Sequence, residues 1–283
     1  MRAEPDGREA RTPAAPRTHL QRQVAESFGA DADRYDRSRP SYPGALVERI
    51  LAASPGRLVL DIGCGTGIAA RLFQAAGCQV LGVDPDARMA DRARRSGLDV
   101  EVATFETWDP DGREFDAAIA AQAWHWVDPV AGAVQAARAL RPGGRLAVFW
   151  NALQLPPDLA ADFAEVYRAV QHGLPFNPWA VPALDAYAQM SGTAADGMRQ
   201  AGAFSEPEEW RFEWGRSYAR DEWLEQVPTI GGHNQISPAR LQELLAGIGA
   251  AIDAIGGSFP ARYTTVTVTA ARAPASCPGP PPD

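Results

Sequence analysis

Apolar and polar positions alternate along this chain in two rhythms. Short, largely apolar runs predict strands at Leu58–Ile62, closed by Gly63, at Gln79–Asp84, closed by its acid, and at Val100–Ala103, Phe115–Ala120 and Arg145–Trp150. Between them, apolar residues three and four apart predict helices at Val24–Tyr35, Gly44–Ala53, Ile68–Ala76, Asp86–Ser96 and Pro129–Leu140. Gly97 supplies a helix stop, Pro129 a helix start, and Arg141-Pro142-Gly143-Gly144 a turn. Strands with intervening helices predict a parallel sheet joined by right-handed crossovers.

After Asn151 the rhythm changes. A helix over Pro157–Gln171, an aromatic proline-rich stretch at Leu174–Trp179 and a short helix over Ala183–Met190 predict a helical, aromatic cap insertion, about 151–200, lying over the sheet. Glu208–Trp214 alternates as a strand, Ala219–Gln226 and Pro238–Ile255 read as helices, and Arg262–Ala270 is a β-branched strand of period two. These late strands extend the sheet as an antiparallel pair. The expected fold is therefore α/β and doubly wound, a Rossmann-like seven-stranded mixed sheet in one domain spanning 23–272. The flanks, 1–22 and 273–283, are rich in proline and poor in large apolar residues, and are expected to be disordered tails.

Composition narrows the function. A chain of 283 residues with 46% hydrophobic residues can bury a full core. Its net charge of −8 gives no electrostatic footprint for nucleic acid or for a membrane surface, and neither is expected as a partner. All 27 basic residues are arginine, so no lysine is available as a Schiff base, phosphate-loop residue or general base. The three cysteines are odd in number and lack zinc-site spacing, which suggests a reducing, cytoplasmic setting. Met1–Gln23 is polar and arginine-rich, unlike a secretory signal, and no apolar run approaches the ~20 residues of a membrane span.

The chemistry concentrates in Leu58-Val59-Leu60-Asp61-Ile62-Gly63-Cys64-Gly65-Thr66-Gly67 and in Asp84 at the end of the next strand. Strand, glycine turn and helix in succession let a ligand approach bare backbone, and an acid at the following strand end can take both hydroxyls of a ribose. A nucleoside-binding α/β domain is implied. A dinucleotide-binding oxidoreductase needs G-x-G-x-x-G. Counted from Gly63, the sixth position is Ile68, and the third glycine arrives one residue early. An adenosyl ligand with an amino-acid tail suits this loop better than a pyrophosphate does.

Val59–Gly67 resembles motif I of class I S-adenosylmethionine-dependent methyltransferases, with Asp84 at the place of their ribose-binding acid. Phe115–Ala120 is similar to the family's fourth strand, and Leu140-Arg141-Pro142-Gly143-Gly144-Arg145-Leu146 to the turn before its fifth. Tyr35–Pro43 and Ala121–Trp126 resemble the trans-aconitate-methyltransferase-like branch, which acts on small molecules. The resemblance spans about 24–151 and fades in the cap.

It implies S-adenosyl-L-methionine as cofactor, held by Gly63, Cys64, Gly65, Asp84 and Pro85, by the third-strand loop Thr104-Phe105-Glu106, by Ala121, Gln122 and Trp124, and by Tyr35 and Arg39 in a lid at about 24–43. A planar arginine fork such as Arg39 suits a carboxylate. A small-molecule acceptor is expected among Trp126, Trp150, Asn151, Phe176, Trp179, Tyr187 and His233. His125 is a candidate general base, with His233 as a second; each also reads as a structural, hydrogen-bonded histidine. No metal is expected, because catechol-type enzymes need an acid where Ala121-Gln122 stand. The amino-methyltransferase pattern [DNS]-P-P-[YFW] is also missing at that point. The acceptor atom stays open among O, N and C, and an arginine-only chain with an aromatic cap suggests a bacterial secondary metabolite. A cofactor-binding protein of cyclase-like or regulatory role and, more remotely, an NAD(P)-dependent oxidoreductase remain as alternatives.

Overall fold

A computed structural model describes residues 27–170, 179, 183–233 and 236–274. Strands β1 (Leu58–Ile62), β2 (Gln79–Asp84), β3 (Asp99–Val102), β4 (Phe115–Ala121) and β5 (Leu140–Gln154) run parallel. Strand β7 (Ser258–Ala271) pairs antiparallel with β5, and β6 (Glu208–Ala219) pairs antiparallel with β7. The order across the seven-stranded sheet is β3-β2-β1-β4-β5-β7-β6; the mixed sheet with an antiparallel late pair is the one expected from the sequence.

The period of two on the strands decides which helix covers which face. Val59, Ala117, Ile119, Ala147 and Phe149 point to one side, where helices α2 (Gly44–Ala52), α3 (Ile68–Ala75) and α4 (Ala87–Arg95) bury Ile50, Phe73 and Ala90 against them. Leu60, Ile62, Ala118, Ala120, Val148 and Trp150 point to the other, under α5 (Pro129–Ala139) and α7 (Ala183–Ala201). Each fully buried Leu, Ile or Phe contributes about 1.5–3 kcal/mol through removal from water. Helix α5 starts where sequence placed it, with Asp128 Oδ1 accepting from the Val130 and Ala131 amides and Pro129 in the first turn.

Three differences from the sequence reading have local causes. The helix expected at Val24–Tyr35 is, over its described part, a 3-10 turn at Ser27–Asp31 followed by α1 (Ala32–Ser38), because Asp31 caps the chain through the Arg34 amide. The turn at Arg141–Gly144 lies inside β5 as an irregularity: Phe115 pairs with Leu140 and Ala117 with Arg145, and Gly143 takes φ 78° to absorb the extra residues. Helix α7 continues past the weak helix formers Ser191-Gly192-Thr193 because Ala194 and Met198 are buried on the sheet.

The cap is the largest departure. Residues 151–154 belong to β5, and α7 forms part of the layer that covers the sheet. Helix α6 (Pro157–Val170) packs with α8 (Arg220–Gln226), α9 (Pro238–Ala254) and the ends of β6 and β7 around a separate aromatic core of Phe163, Tyr167, Tyr218, Trp223 and Phe259. The helix predicted to reach Gln171 is described to Val170. The expected tails lie outside the described residues, except that the Ala273 amide still donates to the Ala203 carbonyl at 2.9 Å.

Candidate functional site

Strands β1 and β4 are neighbours, yet the chain leaves β1 toward β2 on one side and passes from β4 to β5 on the other. A crevice opens at the carboxyl ends of such a strand pair. The glycine loop borders it. Gly63 and Cys64 donate to the Val83 carbonyl at 2.8 and 3.2 Å, folding the loop back over β2. A Cβ on Gly63 would stand 2.6 Å from the Ala123 Cβ, so the two loops abut as closely as only glycine allows.

Asp84 ties this loop to the next. Its Oδ2 accepts from the Gly65 amide at 2.8 Å and its Oδ1 from the Asp86 amide at 2.9 Å. Burial nevertheless pushes the carboxyl up to about 6. Asp61, one strand position before the loop, is fully buried, and neither oxygen makes a well-formed hydrogen bond; the Ala70 amide is its one weak partner among the described residues. Burial first, then repulsion from Asp84, push it up to about 8; the Ala70 amide offsets only part of this.

Across the crevice, Glu106 Oε1 accepts from the Asp128 amide at 3.1 Å, joining the third-strand loop to the start of α5. Gln122 takes φ 55°, a strained conformation for a residue with a side chain. Its amide donates to the Phe149 carbonyl at 2.9 Å and its side chain bonds the Tyr187 hydroxyl.

Helix α1 closes one side and is held by ion pairs. Asp36 meets Arg71 at 2.7 Å and also pairs with Arg92, Asp33 meets Arg92 at 2.9 Å and Arg95 at 3.2 Å, and Arg37 meets Glu225 at 3.0 Å. The segment after α1 hangs from the sheet: Asn151 Nδ2 donates to the Ser41 carbonyl at 3.0 Å, and Thr265 Oγ1 donates to Asn151 Oδ1 at 2.7 Å.

Together these elements border an open cavity of about 1080 Å³, the solvent at its mouth included. Of the residues expected to hold a cofactor, Tyr35, Gly63, Cys64, Gly65, Asp84, Pro85, Thr104, Phe105, Glu106, Ala121 and Gln122 line it. The Phe105 ring itself is buried against Trp108 and Trp124. Arg39 stands off the wall, its guanidinium 5.4 Å from the Tyr35 ring centre. Trp124 is a core residue, 2% exposed, and does not line the cavity. Sequence reasoning did not single out Phe28, Tyr42, Asp86, Met89 or Val127 on this wall. Met89 was legible in principle, being in the first turn of the helix that follows Asp84.

The expected acceptor residues disperse. Trp126 lines this same cavity, with its edge toward Phe28 at 6.4 Å. Tyr187 reaches the site through Gln122. Trp150 is a core residue, 1% exposed, and Asn151 holds the segment after α1, as just described. Trp179 packs on Phe163, Tyr167 and Trp223 in the separate aromatic core, since the chain there has its own helices to bury against. Phe176 lies outside the described residues. His233 is buried, its Nδ1 donating to the Ile230 carbonyl at 3.0 Å and its Nε2 accepting from the Tyr167 hydroxyl at 2.6 Å. A carbonyl can only accept, so this tautomer is fixed and the ring is structural. His125 adjoins the site and receives a hydrogen bond from Trp150. Among the described residues no group of three His, Cys, Asp or Glu side chains could hold a metal ion.

A glycine loop, a carboxylate at the end of the next strand and a crevice at the strand-order switch define a nucleoside-binding α/β protein of the class I methyltransferase fold. The methyltransferase-domain family model matches residues 35–194, and the chain belongs to that family, whose methyl donor is S-adenosylmethionine. An uncharacterized methyltransferase of Mycobacterium tuberculosis is 42% identical over 137 residues, covering 47% of this chain and 56% of that protein. A malonyl-[acyl-carrier protein] O-methyltransferase of Enterobacter lignolyticus is 35% identical over 153 residues, covering 52% of this chain and 59% of that protein. The chain thus spans little more than half the length of these relatives. A solved structure from Anaeromyxobacter dehalogenans, assigned as a type II methyltransferase, shares the fold with a TM-score of 0.61 at 24% identity, over 83% of this chain and 99% of that one.

Proposed function

We propose that this protein transfers a methyl group from S-adenosylmethionine to an O, N or C atom of a small molecule, working mainly by positioning. The observation that carries the reading is the cavity at the β1/β4 switch, with the Gly63–Gly67 loop and the Asp84 carboxylate on one wall and Gln122 on the other. The fit of an adenosyl ligand rests on two features of this chain. The glycine loop offers bare backbone where a Cβ has no room. Asp84 spends one hydrogen bond per oxygen on amides, which leaves lone pairs for ribose hydroxyls. S-adenosylmethionine, when bound, supplies the electrophilic methyl group.

The residues then have separable tasks. Asp84 and the loop backbone orient the nucleoside, the strained Gln122 fixes the end of the cavity toward Tyr187, and α1 with Phe28 and Trp126 keeps water out. Arg39, off the wall but stacked on the Tyr35 ring that lines it, is assigned to a ligand carboxylate on the chemistry of its planar fork. The small-molecule branch, a secondary-metabolite acceptor and a cytoplasmic setting extend the reading; cysteine usage, the acidic charge and the cavity support them. Among the described residues no helix is long and apolar enough to cross a membrane.

Isothermal calorimetry tests the reading. S-adenosylhomocysteine is expected to bind and NAD or NADP to give no heat. NADP binding without S-adenosylhomocysteine binding overturns it. Binding without any labelled methyl transfer into a small-molecule extract favours the non-methylating alternative.

A further inference from the structure

Arg39 ends α1, its amide donating to the Tyr35 carbonyl at 3.1 Å. Its guanidinium lies 5.4 Å from the Tyr35 ring centre, and the groups that act on it electrostatically are the phenols of Tyr35, Tyr187, Tyr42 and Tyr263. Burial pushes the Tyr42, Tyr187 and Tyr263 hydroxyls up, so these stay neutral and do not balance the guanidinium charge. Asp36, three residues earlier, is taken by Arg71 and Arg92. Among the described residues no oxygen accepts from the Arg39 guanidinium, which carries five N–H donors and stays charged at any working pH. The residue is still part-exposed, so a ligand can reach it. Crowding a cation with neutral rings costs solvation that the ring faces offset only in part.

The placement separates this group from the nucleoside end of the cavity. Tyr35 stands on α1, Tyr42 in the segment after it, Tyr187 on α7 and Tyr263 on β7, opposite Leu153 of β5. Strand β7 is three strands from β1, about 14 Å at the usual strand spacing, and four strands from Asp84 on β2, about 19 Å. Tyr35, Tyr42 and Gln122 line the cavity, and Gln122 joins it to the phenols through its bond to the Tyr187 hydroxyl. Arg39, Tyr187 and Tyr263 stand beyond that wall. A cofactor held by the glycine loop and Asp84 therefore fills the space on one side of Gln122, and Arg39 faces the side from which the second reactant must come.

We propose that Arg39, among Tyr35, Tyr42, Tyr187 and Tyr263, is an acceptor subsite: the methyl acceptor is an organic carboxylate with a flat or apolar body, and Arg39 holds its carboxylate. The proposal rests on the methyltransferase reading and deepens it. It also moves Arg39 from the cofactor role that the family resemblance implies to the acceptor. The planar fork matches a carboxylate in two parallel N–H···O bonds, and phenol rings cover an apolar body. Charge sorts the two ends: Asp84, Asp86 and Glu106 line the nucleoside end, and Arg39 stands beyond the other.

Calorimetry on the intact protein separates the two carboxylates that Arg39 could hold. S-adenosylhomocysteine carries the amino-acid tail, and methylthioadenosine lacks it. In Arg39→Gln both are expected to bind within about threefold of wild type. A loss above about tenfold for S-adenosylhomocysteine alone puts the cofactor tail on Arg39 and overturns the proposal. The acceptor side is read on protein saturated with S-adenosylhomocysteine and titrated with benzoate, cinnamate and hexanoate, and with the amide of each, by saturation-transfer NMR. At least one acid is expected to bind the wild type about tenfold or more tightly than its amide. That preference should vanish in Arg39→Gln and survive in part in Arg39→Lys, which keeps the charge without the fork. No acid favoured over its amide, or a preference that persists in Arg39→Gln, overturns the proposal. The wild-type comparison stands whether or not the variants fold, and neither binding arm needs turnover. With labelled S-adenosylmethionine and a small-molecule extract of the source cells, Arg39→Gln should raise the half-saturating amount of extract about tenfold, with KM for S-adenosylmethionine unchanged. A wild type that transfers no label counts against the methyltransferase reading instead, and leaves the binding arms to decide the subsite.

Discussion

Replacing Asp61 with asparagine is expected to stabilise the ligand-free protein and to flatten its loss of stability with rising pH. Asp61 sits in the middle of the sheet, in register with Gly82 on β2 and Ile119 on β4, and is fully buried with no well-formed hydrogen bond and only weak support from the Ala70 amide. Its carboxyl, pushed up to about 8, compares with an unfolded value of about 3.9. Between those values the native state binds the proton and the unfolded state does not. Stability therefore falls as pH rises across that window, by about 1.4 kcal/mol per pH unit. The contribution of the neutral acid is fully present below about pH 4 and is gone above about pH 8. At pH 7 roughly three units of this window have been crossed, a cost of about 4 kcal/mol. Asparagine keeps the shape and does not titrate. Its amide is as poorly met as the protonated acid, so the two desolvation costs largely cancel.

The expected gain is therefore about 2–4 kcal/mol at neutral pH, shrinking toward zero near pH 4. Urea unfolding followed by tryptophan fluorescence, repeated from about pH 4 to about pH 8, measures both the gain and its slope. A variant equal to or weaker than wild type at neutral pH, or one that keeps the wild-type slope, would refute the reasoning, because it would mean the carboxylate is met by a partner that lowers its pKa. A stabilising variant that binds S-adenosylhomocysteine less well would explain why so costly a group stands beside the glycine loop.

Other outcomes follow from the site. Asp84→Asn is expected to weaken S-adenosylhomocysteine binding by about 1.5–3 kcal/mol. Wild-type affinity should fall as pH drops through about 6, where the carboxyl takes a proton and loses acceptor strength, while Asp84→Asn stays flat on calorimetry. Asp36→Ala removes the acid that meets both Arg71 and Arg92, and should raise the S-adenosylhomocysteine dissociation rate several-fold in stopped flow, with the difference narrowing at high salt. Trp179→Ala is expected to cost about 3–5 kcal/mol of stability by opening the separate aromatic core, while cofactor affinity in the cold stays at the wild-type level. Methyl transfer should survive EDTA, since Ala121 and Gln122 stand at the carboxyl end of β4, where the resemblance to metal-dependent methyltransferases would call for an acid; loss on chelation with rescue by magnesium would reverse this.

The cofactor side was legible in the sequence because backbone conformation dictates it. Gly63 and Gly65 have positive φ, and a strand ending in Asp84 delivers its carboxylate to the same crevice whatever packs behind. The acceptor side was not legible, because an aromatic residue looks the same in a sequence whether it lines a cavity or fills a core. Trp126 and Trp179 both read as ligand-binding; one faces the cavity and the other packs on Phe163. The difference lies in long-range pairing of α6 with α8 and α9, to which local periodicity is blind. Histidine roles were hidden for the same reason. Their tautomers depend on Trp150, Ile230 and Tyr167, which are distant in sequence or on the far side of a turn.

Asn151 shows how the late strands take part in a site they do not touch. It is the residue after Trp150 on β5, so the two side chains leave opposite faces of the sheet. Trp150 reaches His125 on one face. On the other, the Trp214 indole donates to Thr265 Oγ1 at 2.9 Å, Thr265 to Asn151, and Asn151 to the Ser41 carbonyl. The first connection orients the histidine beside the cavity, and the second suspends the segment that follows α1 and carries Tyr42 onto the cavity wall. Since residues in a strand alternate faces, a slip of one residue in the β5–β7 register would carry Thr265 to the other face and break its link to Asn151. The antiparallel pair β6–β7 therefore does more than widen the sheet: its register with β5 places Thr265 where it holds the Asn151 side chain that suspends the segment after α1.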